Sequence, residues 1–262
     1  MSIPFQAVST GVTVAIGLLL WSLEGVIPFF RGRMSRGSHA AINLSLAACS
    51  LLVILPVDMA TVASLETIGH RFTGIGGLLP KGAPRSLPIL LLLDLWLYLW
   101  HRLNHEAPLF WRFHSVHHSD GQLDITSAWR FHPGEILFSG LFRLPILILI
   151  GAGAMDLLLY NLLMTPVIQF HHSNIRFGAE ADRLLRLLIP TPLLHRIHHS
   201  PARIEHDSNY GAMLSIWDRL FGTLTVKNPT SSPPYGLDGE RDPEQQHLWP
   251  LMKRPFSGTL AS

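Results

Sequence analysis

The chain has 262 residues, 48% of them hydrophobic and only 15% charged, where an ordinary soluble domain carries about 25% charged residues. A mean hydropathy of +0.28 argues against a disordered chain, and a net charge of +2 is too small for a nucleic-acid-binding face. One cysteine, Cys49, excludes an internal disulfide and a thiolate metal cluster, so any metal would be held by nitrogen and oxygen. Against this scarcity of charge stand 15 histidines.

The first apolar run extends from about Val12 to Phe30, long enough to cross a bilayer as a helix, with Glu24 and Pro28 near one end. Neither a basic n-region nor a small-residue cleavage site precedes it. Arg31, Arg33 and Arg36 follow at once. A second run covers about Ala40 to Ala63, with Asp58 near its end, and a Gly- and Pro-rich connection, Gly69 to Pro88, comes next. A third run, Leu87 to Trp100, ends in Trp96, Tyr98 and Trp100, where an interfacial aromatic belt is expected. After a polar, histidine-rich stretch, apolar sequence resumes from Ile136 to Phe170, interrupted by Gly151, Gly153 and Asp156. That pattern fits two helices forming a hairpin or one long tilted helix. The last thirty residues, rich in Pro, Gly and Ser, read as a loosely ordered tail.

Positive charge orients the chain. Three arginines crowd the first loop, while the connection after the second run has only Arg71, Lys81 and Arg85. A cytoplasmic first loop puts the region 101–135 on the cytoplasmic side, and a hairpin at 136–170 returns the chain there. The expected architecture is therefore an all-α integral membrane bundle with a cytoplasmic histidine-rich di-metal cap. Its parts are N-terminal membrane helices (1–86), a histidine-rich domain containing the hairpin (87–225) and a polar tail (226–262).

Three histidine clusters carry the chemistry: His101 and His105, spaced i, i+4; His114, His117 and His118, spaced i, i+3, i+4; and His195, His198 and His199, spaced identically. On a helix these spacings share a face, so each cluster is expected to aim its imidazoles at one point. Eight imidazoles exceed what one ion takes and point to two ions. His39, His70 and His247 stand alone and read as surface or hydrogen-bonded core residues. His132, His171 and His172 are further candidates.

The boxes H-x-x-x-H, H-x-x-H-H and H-x-x-H-H resemble those of the fatty acid hydroxylase / sterol desaturase superfamily. So do Arg130-Phe131-His132-Pro133, His172-Ser173-Asn174, Thr191-Pro192, Asn209-Tyr210-Gly211 and the stretch from Leu214 through Trp217-Asp218 to Thr223. The resemblance spans about Leu90 to Thr223. It implies a membrane non-haem di-iron oxygenase that uses O₂ and two electrons to hydroxylate or desaturate a lipid C–H position. The implied ligands are His101, His105, His114, His117, His118, His172, His195, His198 and His199, with His132 a further candidate as ligand, ligand partner or fold residue. Asp94, Asp124, Glu135, Asp207 and Asp218 lie in or beside the motifs and are candidates to accept the other ring N–H of a ligand. Two iron ions, O₂ and a separate electron-transfer protein complete the expectation, since no flavin, haem or iron–sulfur motif is present.

Other classes compete. A histidine-rich membrane metal transporter wants ionisable residues at mid-membrane, and only Asp156 falls near the middle of a run. A haem electron carrier wants single axial histidines. A zinc-dependent membrane hydrolase commonly carries H-E-x-x-H, and neither triad has an intervening acid.

Overall fold

The structure, a computed structural model, describes residues 3–32, 34–69, 72–227, 235–237 and 242–257. Helix α1 spans Ile3–Val26 and α2 spans Arg36–Gly69. After a 3₁₀ turn at Ile75–Leu78 come α3 (Ala83–Glu106), α4 (Pro108–His118), α5 (Pro133–Ile150) and α6 (Ala154–His172). The short helices α7 (Ala179–Leu185), α8 (Pro192–His198), α9 (Arg203–His206) and α10 (Ile216–Leu220) follow, and α11 (Leu248–Lys253) closes the chain. No strand occurs among the described residues, apart from a single bridge between Pro28 and Ile175.

Helices α1, α2, α3 and α5 are long and apolar enough to cross a membrane. The chain is accordingly a multi-pass integral membrane protein. Prolines inside α2, α3, α5 and α6 are tolerable because packed membrane helices re-satisfy the freed backbone groups. Both α1 and α6 lead toward the histidine-rich end, and α2 and α5 lead away from it. Their packing brings Leu65, Leu93, Leu147, Leu157 and Tyr160 into one buried core.

The 136–170 region is a hairpin of two helices, not one tilted helix. Gly151 ends α5 in the left-handed conformation, φ 76°. A side chain there would meet the Thr73 carbonyl at 2.0 Å, so this close crossing admits only glycine. Asp156 belongs to that turn, where it is paired with Arg85, and is not mid-span. Charged residues within the spans are Asp58 on α2 and Arg143 on α5, joined at 2.7 Å, and Asp94 half-way along α3.

Two further expectations change. Of the three aromatics at the end of α3, Trp96 is half-buried and the other two do not face lipid. Tyr98 and Trp100 are buried: Tyr98 bonds Thr223 Oγ1 and stacks on Phe221, and Trp100 packs on Phe110 and Phe142. The C-terminal segment is docked where it is described, with Leu251 buried against Leu46 and Val116.

The cap is fastened by buried polar groups. Arg130 donates to the Val116 carbonyl, Asn43, Ser119 and Gln246. His39 lies between Asp120 and Asp124, at 2.8 and 2.7 Å. Glu24 accepts from the backbone N–H of Ile125 and of Asn174. Residues on α1 and α2 thus hold the loop 119–130 and the start of the segment after α6, which flank the histidines.

Candidate metal centre

All nine histidines named from the motifs converge, in two groups. His101, His105, His114, His118 and His198 form one; His117, His172, His195 and His199 form the other. Within each group the ligating atoms lie within 4.8 Å of one another. The triads do not each aim at one point, as spacing suggested. Each places its i, i+4 pair in one group and its i+3 residue in the other. His114 and His118 join the group of five while His117 joins the four; His195 and His199 join the four while His198 joins the five. The reason is the helical turn: i+3 and i+4 lie about 100° apart around the axis, on either side of residue i. Two helices meeting with their triads crossed therefore build two adjoining centres.

The ring nitrogens are sorted by their partners. His101 Nδ1 donates to the Tyr210 carbonyl at 2.8 Å, and His198 Nδ1 to the Ser208 carbonyl at 2.7 Å. That leaves both Nε2 atoms as lone pairs, yet they face each other at 3.0 Å. In the other group His172 Nδ1 donates to the Ile168 carbonyl at 2.8 Å, and its Nε2 stands 3.2 Å from His117 Nε2 and 2.9 Å from His195 Nε2. Lone pairs in such contact repel unless a cation lies between them. Two imidazole nitrogens bound to one ion at about 2.1 Å stand roughly 3.0–3.4 Å apart, so the spacing fits a metal. His105 and His118 have neither ring nitrogen hydrogen-bonded among the described residues, and His114 Nε2 also lacks a partner. Such buried orphans are costly unless something binds them.

Burial, and then the neighbouring imidazoles, hold His117, His118, His195, His198 and His199 well below the ordinary imidazole range. They are neutral at pH 7, the form that ligates metal.

The carboxylates divide. Glu135 Oε1 accepts from His114 Nδ1 at 2.8 Å, with both groups buried. Asp207 Oδ1 lies 3.4 Å from His105 Nδ1. Asp218 acts at one remove: it accepts from the N–H of Tyr210 and of Gly211, which aims the Tyr210 carbonyl at His101. Asp124 touches none of the nine; it caps the turn Ile125–Trp129 and pairs with His39. Asp94 takes Trp217 Nε1 and Tyr160 instead. His132 stands outside both groups: it caps α5 by accepting from Gly134 N–H and faces the Met252 carbonyl. His171 is buried beside the group of four, its ring 4.1 Å from that of His195.

Of the solitary histidines, His39 is a hydrogen-bonded core residue, His247 is exposed, and His70 lies outside the described residues. No motif marks His206, which stacks on Trp111 and with Asp207 adjoins His105. It stands alone in the sequence, outside any box spacing.

A cavity of about 90 Å³ reaches the histidines and is lined by His101, His114, His117, His171, His172 and His195. Leu97, Trp100, Phe131, Glu135 and Ile168 line both this cavity and a second one of about 240 Å³ between α3, α5 and α6. The two form one corridor from the membrane helices to the histidine groups.

Residues 86–223, just over half of the chain, match the model of a family described as fatty acid hydroxylase. The chain belongs to the fatty acid hydroxylase family. Its match begins on α3 and ends just after α10, so it contains all nine clustered histidines. Ornithine lipid hydroxylase OlsE of Rhizobium tropici is 37% identical over 197 residues, 74% of this chain and 57% of that protein. Human alkylglycerol monooxygenase is 33% identical over 136 residues, 52% of this chain and 29% of that protein. Human cholesterol 25-hydroxylase is 27% identical over 156 residues, 56% of each. The chain thus spans about half the length, or less, of these curated relatives. No solved structure matches the chain significantly.

Proposed function

We propose that this family member is a membrane-embedded, O₂-dependent di-iron oxygenase that hydroxylates an unactivated C–H position of a lipid. The observation that carries the reading is the division of nine histidines, eight of them buried, into two adjoining groups, with the Nε2 lone pairs of His101 and His198, and of His117 and His172, facing at hydrogen-bond distance. His101, His105, His114, His118 and His198 would hold one iron; His117, His172, His195 and His199 the other. Iron with O₂ supplies, when bound, the oxidising power that cleavage of an aliphatic C–H bond demands and that zinc does not.

The protein's own part is binding and orientation. The carbonyls of Tyr210, Ser208 and Ile168 fix the tautomers of His101, His198 and His172. Glu135 fixes His114 and, as an anion, makes that imidazole a stronger donor to metal. The corridor admits a lipid chain from between α3, α5 and α6 and delivers it beside the histidines, its apolar walls keeping water away. The relatives' names, hydroxylases and monooxygenases of lipids, favour hydroxylation over desaturation. Electrons come from a separate carrier protein. The three arginines at 31, 33 and 36 favour a cytoplasmic face for the histidine end.

Turnover of extracted lipids under ¹⁸O₂ tests the reading. One labelled oxygen in a lipid hydroxyl, with the second oxygen reduced to water by two electrons and two protons, is expected. Hydroxylation labelled only from H₂¹⁸O, or activity independent of O₂, overturns it.

A further inference from the structure

The larger cavity has a polar end that the histidine chemistry does not use. Arg143, Ser139 and Asn161 line it, away from the metal-facing end marked by Glu135 and Ile168. Arg143 is eight positions beyond Glu135 on α5, about 12 Å along the helix. Asn161 lies seven positions before Ile168 on α6, about 10 Å on the same scale. The two side chains therefore line the larger cavity at a similar distance along their helices from its histidine end. Ser50 on α2, bonded to the Phe131 carbonyl, marks the cap end of the same packing, and Asp58 follows it by eight positions. Ionisable groups at such depth in a membrane bundle are costly and usually functional.

The charges at this end cancel. Arg143 NH2 donates to Asp58 at 2.7 Å, and the only other charged lining residue, Glu135, is engaged by His114. Donors nevertheless remain. Arg143 Nε is buried and has no hydrogen-bond partner among the described residues. Asn161 adds an amide and Ser139 a hydroxyl to the same wall. An uncompensated anion would need an unpaired cation here, whereas a neutral oxygen needs only a donor such as Arg143 Nε.

We infer that the corridor is a two-ended lipid site, in which Arg143, Asn161 and Ser139 bind an uncharged oxygen function of the substrate about 12 Å from the carbon presented to the histidines. The substrate class is a lipid bearing a hydroxyl, ester or amide at that remove from the oxidised position. Phosphate and free carboxylate are disfavoured as occupants of this end. The choice of which carbon is attacked rests on the oxygenase reading; the binding end does not.

Equilibrium binding of radiolabelled probes to the purified full chain in nanodiscs tests this. A long-chain primary alcohol, the fatty acid and the alkane of equal chain length are compared. The alcohol is expected to bind about tenfold tighter than the alkane, the order of one net hydrogen bond to a charged donor, and tighter than the ionised acid. Asn161→Leu should bring the alcohol down toward the alkane and leave alkane affinity unchanged. Because Arg143→Met alone strands Asp58, the paired variant Asp58→Leu/Arg143→Met is used as well, with the same expectation. Equal affinity for alcohol and alkane, tighter binding of the ionised acid, or unaltered alcohol affinity in both variants overturns the inference. Failure of the oxygenase reading would be seen separately, as absent iron, and would leave this comparison of probes intact.

Discussion

Glu135→Gln isolates what one carboxylate would contribute to the proposed metal centre. Glu135 and His114 are 5% and 2% exposed, and Oε1 accepts from Nδ1 at 2.8 Å. Glutamine keeps an acceptor oxygen and loses the charge. A hydrogen bond to a charged group contributes about 1.5–3 kcal/mol and a neutral one about 0.5–1.5. The difference, about 1 kcal/mol, predicts a five- to tenfold loss of affinity at the ion held by the group of five. Glu135→Ala removes the acceptor altogether and should reach the upper part of the 10- to 100-fold range typical of such outer partners. Iron retained per chain under increasing chelator, measured by elemental analysis, reads both variants. The expected curve loses about half of the iron early and the rest at the wild-type concentration. Wild-type retention in both variants would refute the claim that Glu135 orients and strengthens His114.

Other outcomes follow from the same geometry. Arg130→Met removes a wholly buried cation from Asn43, Ser119, Gln246 and the Val116 carbonyl. By stranding these buried acceptors it should cost about 3 kcal/mol, seen as a lower unfolding midpoint in detergent. Gly151→Ala should destabilise the hairpin by about 1–2 kcal/mol from its positive φ alone, and by more because of the contact with Thr73; a thermal scan checks it. The metal-free protein should lose stability as pH falls below 6.5. His117, His118, His195, His198 and His199 have folded pKa values below that of the unfolded chain, so the unfolded state binds more protons there. Unfolding midpoints between pH 7.5 and 5 would show this, and a flat profile would contradict it.

The grouping of the box histidines was legible because short-range spacing on a helix carries it, and His172 entered through its place in the motif. Their assignment to two centres was not legible, since it depends on how α4 and α8 cross, which no local pattern encodes. The carboxylates show the same limit. Glu135 sits beside its box in sequence and in space, whereas Asp124 sits near a box and serves His39, eighty-five residues away. The membrane runs gave the helices but not the inward turn of Tyr98 and Trp100, because an aromatic residue at a helix end satisfies an interface and a core equally. The pairing of Asp58 with Arg143 was not legible for a related reason: each is a single charge in an apolar run, and only packing of α2 on α5 makes them a pair.

Elemental analysis of the purified chain, combined with His198→Ala and His195→Ala, tests the central claim most directly. The account predicts two irons per wild-type chain and a loss of iron in each variant, one from each centre, with the chain still inserted in the membrane. One metal per chain, stoichiometric zinc, or two irons undisturbed by both substitutions would contradict it.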